Sequence, residues 1–409
     1  MKCRHCDADV TLPFVDLGSS PPSNAYLTPS QLQAPESYYP LRVLVCESCW
    51  LVQTEDFAGF DDMFSAEYAY FSSFSSTMLA HVKQYSHEMT ARFNLNTNSC
   101  VVEVASNDGY LLKNFKAAGI PCYGVEPTAS TAKAAREIGI ESIEEFFGNQ
   151  LASRLVSQGR QADLTAANNV LAHVPDINDF VSGFAMLLKD QGVSTFEFPH
   201  LLNLVDKAQF DTIYHEHFSY LSLTSVNTIF KANGLSVFDV EEIATHGGSL
   251  RVFAQKTSTG KHALSPRVAA MLAREDALGM KTASYYGKTQ ADAVKIKRDL
   301  LQFLLNAQAE GKTVAAYGAA AKGNTMLNYA GVRDDLVKYV IDLNPAKQNK
   351  FMPGSRIPIV GLDALNAEAP DYMLILPWNL EAEVKVQLAA KHQVTWQYVL
   401  AVPMLKVHS

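Results

Sequence analysis

The sequence predicts an α/β protein in three parts, a small metal-binding module followed by two domains built on parallel sheets. Two observations support this prediction. Paired cysteines occur only near the amino-terminal end, and further on, short apolar runs alternate with helical segments in two separate stretches. Such alternation is typical of parallel sheets covered by helices on both faces. With 409 residues, the chain is long enough for two or three domains of about 150 residues each.

Composition excludes several classes of protein. Apolar residues make up 48% of the chain and charged residues 19%, which is enough for real cores and unlike a disordered protein. A net charge of −8 argues against a general nucleic-acid binder, although a local basic pocket for phosphate is compatible with it. No run of about 20 apolar residues and no signal-peptide pattern is present. We therefore expect a cytoplasmic protein without nucleic-acid or membrane partners, and we expect a monomer.

The first part, residues 1–65, contains four of the six cysteines. Cys3 and Cys6 form one C-x-x-C pair, Cys46 and Cys49 form another, and 39 residues lie between the pairs. Four thiolates on two such turns can surround one ion tetrahedrally, which is the arrangement that structural zinc prefers. A closed set of four ligands has no open coordination position, so we predict a structural Zn²⁺. The alternative is two unrelated pairs or a redox C-x-x-C motif.

The second part, residues 66–255, begins with an aromatic and serine-rich stretch over 68–76 and a predicted helix over 78–93. Aromatic residues at such a junction either pack between domains or place one tyrosine against a ligand. Strands are predicted over 100–105, 121–126, 140–147, 162–169 and 192–198, with a helix over 110–118. This order predicts a doubly wound sheet, whose ligands bind at the carboxyl ends of the strands.

The third part, residues 256–409, begins with a polar, helix-rich bridge that extends to about residue 306. Strands are then predicted over 313–317, 337–342 and 372–376, and a turn over 318–324 opens a helix after the first of them. This alternation predicts a second doubly wound domain.

The clearest nucleotide-binding signal lies between Glu103 and Gly109, at the end of the first predicted strand of the second part. A tight turn there lets the backbone approach a ligand, and Glu126, seventeen residues past Gly109, can accept hydrogen bonds from both ribose hydroxyls. The G-x-G-x-x-G series that seats a pyrophosphate is missing. An acidic strand with one glycine in the turn suits a ligand that has a cationic amino group and no phosphate, and S-adenosylmethionine is such a ligand. The alternative is an ordinary strand-to-helix turn.

A cluster of ionisable and hydroxyl side chains covers residues 214–220, Tyr-His-Glu-His-Phe-Ser-Tyr. Its two histidines lack the i, i+4 spacing that places both imidazoles on one side of a helix, so the pattern does not favour a metal site. Histidine beside a carboxylate and a tyrosine suits proton transfer, because imidazole titrates near neutral pH. A merely structural histidine is the alternative.

Three further segments each have two interpretations. His173, after the fourth predicted strand, either orients a substrate or caps a helix at the surface. A glycine pair followed by Arg251 either holds phosphate or forms a hairpin turn with a solvated arginine. Lys322 lies at a predicted helix start, where free N–H groups attract phosphate, and a tight strand–helix junction is the alternative.

Together these residues resemble the S-adenosylmethionine-dependent nucleotide-sugar C-methyltransferases of deoxysugar biosynthesis. The resemblance covers nearly the whole chain and rests on the order of the parts as well as on the motifs. These motifs are the four cysteines and the segments 103–109, 168–176, 214–220, 247–251 and 317–324. In that family a zinc-binding module precedes a Rossmann-like class I methyltransferase domain, and a second Rossmann-like domain closes over the nucleotide part of the substrate.

The resemblance implies methylation at carbon 3 of a thymidine diphosphate (TDP) 4-keto-deoxysugar. The keto group acidifies the neighbouring C–H, a base removes that proton, and the enolate attacks the sulfonium methyl group. By this resemblance His217 is the base, Glu216 is its partner, and the groups that position the sugar or stabilise the enolate are Tyr214, His173 and Tyr68. The implied cofactor ligands are Glu103, Ala105, Ser106, Asn107, Asp108, Gly109, Glu126 and Asn168. The implied substrate ligands are Asn169, Arg251, Lys322 and Asn324.

Two other functions are compatible with the sequence. An O-methyltransferase or small-metabolite methyltransferase does not need a base beside an acidic C–H, so the cluster at 214–220 counts against it. A non-catalytic nucleotide-binding or zinc-dependent assembly protein needs the domains without the chemistry. The presence of Glu103, Gly109, Glu126 and His217 in one chain disfavours that reading.

Overall fold

The computed structural model describes residues 1–57, 72–367, 369–391 and 396–408. Tyr68, which the resemblance places near the substrate, lies outside the described residues. In the described ranges the strands form three sheets of four, seven and six strands. No helix within these ranges combines the length and the apolar character that crossing a membrane requires.

The first sheet is antiparallel and carries the cysteines at one end. Its strands are β1 (Leu12–Ser20), β2 (Tyr39–Val45), β3 (Val52–Thr54) and, from much later in the chain, β9 (Ser219–Tyr220). Their order is β1-β2-β3-β9. Val43 and Val45 are fully buried while Arg42 is exposed, the period-two pattern of a strand with one face on a core. The amino-terminal sheet is thus completed by a strand of the second part.

The second sheet has seven strands. They are β4 (Val101–Val104), β5 (Cys122–Val125), β6 (Ser142–Ile143), β7 (Ala162–Asn168), β8 (Leu188–Pro199), β10 (Leu235–Ile243) and β11 (Ser249–Lys256). Their order is β10-β11-β8-β7-β4-β5-β6, with β4 to β8 parallel and β11 antiparallel to both of its neighbours. The strand predicted over 140–147 is only two residues long, because Glu144, Glu145 and Phe146 are exposed and do not continue the buried pattern.

Helices pack against this sheet. They are α1 (Ser76–Arg92), α2 (Leu112–Ala117), α3 (Ala129–Glu137), α4 (Asn149–Ser157), α5 (Ile177–Leu187), α6 (Leu201–Asp206) and α7 (Leu223–Ala232). Side chains cap several of them: the hydroxyl of Ser75 accepts from the N–H of Met78 at the start of α1, and Asp176 caps α5. The strand order reverses between β4 and β7, so the loops that follow these two strands diverge and leave a crevice at the carboxyl edge.

The third part is a second doubly wound unit. Its elements are α8 (Pro266–Ala277), α9 (Ala283–Tyr286), α10 (Thr289–Ala309), β12 (Val314–Tyr317), α11 (Ala321–Ala330), β13 (Val340–Ile341), β14 (Ile359–Val360), α12 (Ala364–Ala367), β15 (Tyr372–Ile375), α13 (Glu381–Lys391), β16 (Gln397–Leu400) and β17 (Lys406–His408). The order is β14-β13-β12-β15-β16-β17, and only the edge strand β17 is antiparallel. The predicted fold class is confirmed.

One apolar cluster joins the three parts, while further buried clusters lie within the second part and within the third. One continuous apolar cluster contains Val43 and Val52 of the first sheet, Phe210 of the loop after α6, and Leu300 and Leu327 of the third part. Truncating a buried leucine to alanine in such a core costs about 2–5 kcal/mol. A substitution in this cluster therefore removes packing contacts in more than one part of the chain.

Candidate functional site

The four predicted zinc ligands come together in space. Their Sγ atoms all lie within 4.8 Å of one another. Cys3 and Cys49 approach to 3.5 Å, as do Cys6 and Cys46. Four thiolates bonded to Zn²⁺ at about 2.3 Å stand roughly 3.8 Å apart in a tetrahedron, so the cluster fits this ion. The four cysteines could therefore hold a tetrahedral Zn²⁺ with no ligand position left open.

The loop after β4 has left-handed backbone angles at alternate residues. Ala105, Asn107 and Gly109 have φ angles of 58°, 50° and 75°, in the left-handed region that costs a non-glycine residue about 1–2 kcal/mol. The loop also packs tightly against β5, since a Cβ on Gly124 would lie 2.1 Å from the hydroxyl of Ser106. Strain held by tight packing is typical of a loop that binds a ligand.

Glu126 holds the same loop from the neighbouring strand. Its carboxylate accepts hydrogen bonds from the backbone N–H groups of Asn107 and Thr128, both at 2.9 Å. Loop residues also contact the segment before α1, since the side chains of Asn107 and Asp108 accept from the N–H groups of Ser72 and Ser73. These hydrogen bonds fix the conformation of the loop before a ligand binds.

Buried polar atoms without a protein partner gather at this edge of the sheet. In the described part of the chain they are both carboxylate oxygens of Glu103, Oγ of Ser106, Oδ1 of Asp108, both amide atoms of Asn168, and Oδ1 of Asn169. Each such atom costs about 1–3 kcal/mol if it stays unpaired. Burial, with the nearby Asp108 and Glu126, raises the pKa of Glu103 well above its usual value. A ligand with a cationic group and several hydroxyls satisfies this set, which fits S-adenosylmethionine.

His217 lies in the loop before β9, and its imidazole has a defined tautomer. Its Nδ1 is 2.9 Å from the backbone carbonyl oxygen of Thr212, which can only accept, so Nδ1 carries the proton. Nε2 therefore presents a lone pair, and it accepts from the hydroxyl of Tyr214 at 2.8 Å. Burial, and next the nearby His173, hold the pKa of His217 well below 6.5. The imidazole is thus a neutral acceptor of protons.

His173 belongs to the same site. It ends a 3₁₀ turn at Leu171–His173, and its ring centroid is 4.5 Å from that of His217. Burial lowers the pKa of His173 to about 4. Its Nδ1 is buried and has no hydrogen-bond partner among the described residues. Two neutral imidazoles therefore pack edge to face beyond the end of β7.

The predicted pairing of Glu216 with His217 is wrong. The carboxylate of Glu216 is fully buried and accepts from the hydroxyl of Ser23 at 2.9 Å and from the amide of Asn24 at 3.1 Å. The partner that His217 uses is the carbonyl of Thr212. Nothing in the local sequence signals the true contacts of Glu216, because Ser23 and Asn24 lie almost two hundred residues earlier in the chain.

Two of the predicted substrate ligands are engaged by the protein itself. Nε of Arg251 donates to Glu197 at 2.7 Å, and Nη1 lies 3.3 Å from both Glu88 and Glu241. The amide of Asn324 donates to the backbone carbonyl of Ser23. Arg251 is buried in these contacts, so we do not retain it as a substrate ligand. The side-chain oxygen of Asn324 is buried without a partner among the described residues, so its role as a substrate ligand stays a prediction.

Lys322, on α11 of the third part, lies near the loop of His217. Its Nζ donates to Asn379 at 3.0 Å and lies 4.8 Å from the ring centroid of Trp378. The indole N–H of Trp378 donates in turn to Asp211 at 2.7 Å. Burial lowers the pKa of Lys322 and raises that of Asp211 to about 6. The sequence identified Lys322 but not Asp211 or Trp378.

His246 is a further site residue that sequence reasoning missed. It lies between β10 and β11 at the same edge of the sheet, with a left-handed φ of 55°. Its Nδ1 is buried without a partner among the residues described, and burial lowers its pKa to about 4. The glycine pair that follows was the available signal, since Gly247 and Gly248 mark the loop as conformationally unusual.

Comparison with known proteins covers the chain from end to end. Residues 3–64 match the model of a zinc binding domain, residues 78–240 that of a methyltransferase domain, and residues 244–403 that of a C-methyltransferase C-terminal domain. C-methyltransferase NovU from Streptomyces niveus is 34% identical over 383 residues, which are 94% of this chain and 91% of that protein.

Solved structures resemble a part of the chain. Magnesium protoporphyrin IX methyltransferase from Synechocystis PCC 6803 is 19% identical, with a TM-score of 0.35 over 44% of this chain and 83% of that one. An S-adenosylmethionine-dependent methyltransferase from Clostridium acetobutylicum ATCC 824 is 13% identical, with a TM-score of 0.36 over 44% of this chain and 92% of that one.

Proposed function

The chain belongs to the C-methyltransferase family, and from this premise we propose that it methylates carbon 3 of a TDP-4-keto-deoxysugar. S-adenosylmethionine is the methyl donor, and when bound it supplies an electrophilic methyl group on a cationic sulfur. The observation that carries the proposal is the neutral imidazole of His217, whose basic Nε2 lies beside the hydroxyl of Tyr214.

A C–H bond next to a ketone needs a base, and His217 has the properties of one. As the C–H bond breaks, the proton passes to Nε2 and the electron pair moves toward the carbonyl oxygen as an enolate. The carbonyl of Thr212, which accepts from Nδ1, stabilises the imidazolium that forms. Because burial keeps the resting imidazole neutral, no proton has to be removed from it before the reaction.

Tyr214 and His173 are proposed to act on the sugar. When Nε2 takes the substrate proton, it no longer accepts from the hydroxyl of Tyr214, which can then donate to the enolate oxygen. The unpartnered Nδ1 of His173 can accept from a sugar hydroxyl. Both groups touch the ring of His217, so a substrate that reaches one of them reaches the base.

The loop after β4 is proposed to hold the methyl donor. Glu103 and Asp108 offer unpaired carboxylate oxygens to its ammonium group, and Asn168 offers an amide to its carboxylate. Glu126 already accepts two backbone N–H groups, and its remaining lone pairs suit the ribose hydroxyls. Ala105, Ser106, Asn107 and Gly109 supply the close backbone approach.

Substrate binding is proposed to involve Asn169 and Lys322. The side-chain oxygen of Asn169 is buried and unpartnered among the described residues, and it follows β7 beside the crevice. Lys322 places a cation at the start of α11, close enough to His217 to influence it electrostatically. A cation at a helix start suits the diphosphate of the nucleotide sugar.

The test is incubation with TDP-4-keto-6-deoxysugars in D₂O, with and without S-adenosylmethionine, read by mass spectrometry. We expect one added methyl group that depends on the cofactor, and deuterium uptake at the acidic carbon without it. His217→Gln should lose both signals, whereas the exposed His87→Gln should keep them. Methyl transfer to an oxygen without deuterium uptake would replace this proposal with an O-methyltransferase.

A further inference from the structure

The geometry points to a second role for the zinc-binding module: its cysteine turn and strand β3 position the backbone of His217. The role of His217 as base rests on the proposed function, whereas the contacts that position it are structural. Thr54, Gln53 and Arg4 are the positioning residues. None of them was identified from the sequence.

The first contact is a shared sheet. β9 begins two residues after His217 and pairs antiparallel with β3, with Val52 opposite Tyr220 and Gln53 opposite Ser219. The sheet of the zinc-binding module therefore ends in the chain segment that carries the base.

The second contact is Thr54, the last residue of β3. Its hydroxyl donates to the backbone carbonyl of His217 at 3.0 Å, and its N–H donates to the carbonyl of Phe218 at 3.2 Å. The N–H of Phe218 donates to the carbonyl of Ala172 at 2.8 Å, which extends the link to the turn of His173. Thr54 is buried, so water does not compete for these bonds.

The third contact joins β3 to the cysteine turn. The amide of Gln53 donates to Sγ of Cys3 at 3.3 Å and accepts from the N–H of Arg4 at 3.0 Å. The guanidinium of Arg4 donates to the carbonyl of Thr54 at 3.0 Å and lies 4.8 Å from the ring centroid of Phe218. The turn that supplies the zinc ligands Cys3 and Cys6 thus contacts both β3 and Phe218, the residue next to His217.

The contacts from β3 hold the whole segment around His217 in place, which the local contacts of its ring cannot do. Its ring bonds are to Thr212 and Tyr214, which lie on the same segment and orient the ring only within it. The bonds from Thr54 hold that segment against the first sheet. A misplacement of about 1 Å in a reacting group can cost roughly 10²-fold in rate, so holding the segment has a catalytic consequence.

The test uses the full zinc-loaded chain with ¹⁵N-labelled histidine, and the His217 signals are identified by their loss in His217→Gln. Thr54→Val keeps the size and the backbone bond but removes the hydroxyl, and we expect it to shift or broaden the His217 signals. Thr54→Ser restores the donor and should restore the spectrum. Zinc content and S-adenosylmethionine affinity should stay at wild-type values in both variants.

Gln53→Met is a second variant, because it breaks the contact on the zinc side of β3 without touching His217. It should displace the His217 signals as Thr54→Val does, and so should removal of zinc by a chelator. Deuterium uptake by the keto sugar should fall about tenfold or more in Thr54→Val, with a changed pH profile. The inference is overturned if the His217 signals are unchanged in Thr54→Val, in Gln53→Met and in the chelated protein. It is also overturned if Thr54→Val changes these signals while deuterium uptake stays at the wild-type rate.

The spectra need no substrate, so they separate this inference from the proposed function. If the wild-type protein exchanges no deuterium with any keto sugar, the proposed reaction is wrong. The spectra of the variants still test the positioning contacts in that case.

Discussion

Nδ1 of His217 lies 2.9 Å from the backbone carbonyl oxygen of Thr212. This one contact decides the tautomer, because a carbonyl oxygen accepts only from a protonated nitrogen. It leaves Nε2 as the basic atom, turned toward Tyr214. The partner of the imidazole is thus a neutral carbonyl and not a carboxylate, so the lowered pKa keeps the resting imidazole of His217 neutral near pH 7 and makes it a weaker base.

Replacing His217 should abolish most of the activity without affecting the cofactor site. We expect His217→Gln to lower turnover by at least about 10²-fold, the usual contribution of a general base. The dissociation constant for S-adenosylmethionine, measured by calorimetry, should not change, because Glu103 and Glu126 are untouched. A turnover near the wild-type value would remove His217 from the role of base.

The pH profile should report the depressed pKa of His217. A base whose pKa is lowered in the folded protein stays neutral until the pH falls well below 6.5, so kcat/KM should be flat between pH 8 and 6.5 where His217 alone controls it. Below the lowered pKa it should fall about tenfold per pH unit. An acid limb centred at the ordinary histidine pKa would contradict the buried, uncharged state of the ring.

Glu103 should be needed for the cofactor and not for folding. Both of its carboxylate oxygens are buried without a partner among the described residues, so Glu103→Gln should leave the melting temperature of the free protein unchanged or raise it. It should weaken S-adenosylmethionine binding about tenfold or more, which corresponds to roughly 1.4 kcal/mol. The exposed Glu137→Gln is the matched control. Equal affinity in both variants would mean that Glu103 does not meet the cationic group.

Glu216 should matter for stability and not for proton transfer. Its hydrogen bonds from Ser23 and Asn24 join the amino-terminal part to the loop of His217. Glu216→Gln weakens these charge-assisted bonds and should lower the free energy of unfolding by about 1–3 kcal/mol in urea titrations. The acid limb of kcat/KM should keep its wild-type position, and a shift of that limb would restore Glu216 as the partner of the base.

The sequence was a good guide wherever the chemistry is local. The four cysteines lie in two C-x-x-C pairs, so only the meeting of the pairs depended on the fold; the four thiols do form one cluster, and zinc as a cofactor is confirmed. The alternating strands and helices predicted the fold class correctly for the same reason, since periodicity is a property of neighbouring residues. S-adenosylmethionine as the cofactor is also confirmed, by the methyltransferase family to which the chain belongs.

The local sequence pattern did not predict the partners of side chains that bond to residues distant in the chain. Glu216 stands next to His217 in the chain yet bonds Ser23 and Asn24, and Arg251 follows a glycine pair yet bonds Glu197. A neighbour in sequence is a neighbour in space only if the backbone turns both side chains to the same face. That direction is set by the packing around the segment.

By itself the sequence determined the two C-x-x-C pairs, the parallel-sheet architecture and the acidic loop after the first strand of the second part, because each of these is a pattern of neighbouring residues. Only the tertiary structure decided that Thr212 orients His217, that Thr54 holds its backbone, and that Arg251 is engaged by carboxylates. The physical reason is that one buried apolar cluster joins the first sheet, the segment around Phe210 and the third part. Packing of this kind joins residues far apart in the chain, whose contacts no local spacing encodes.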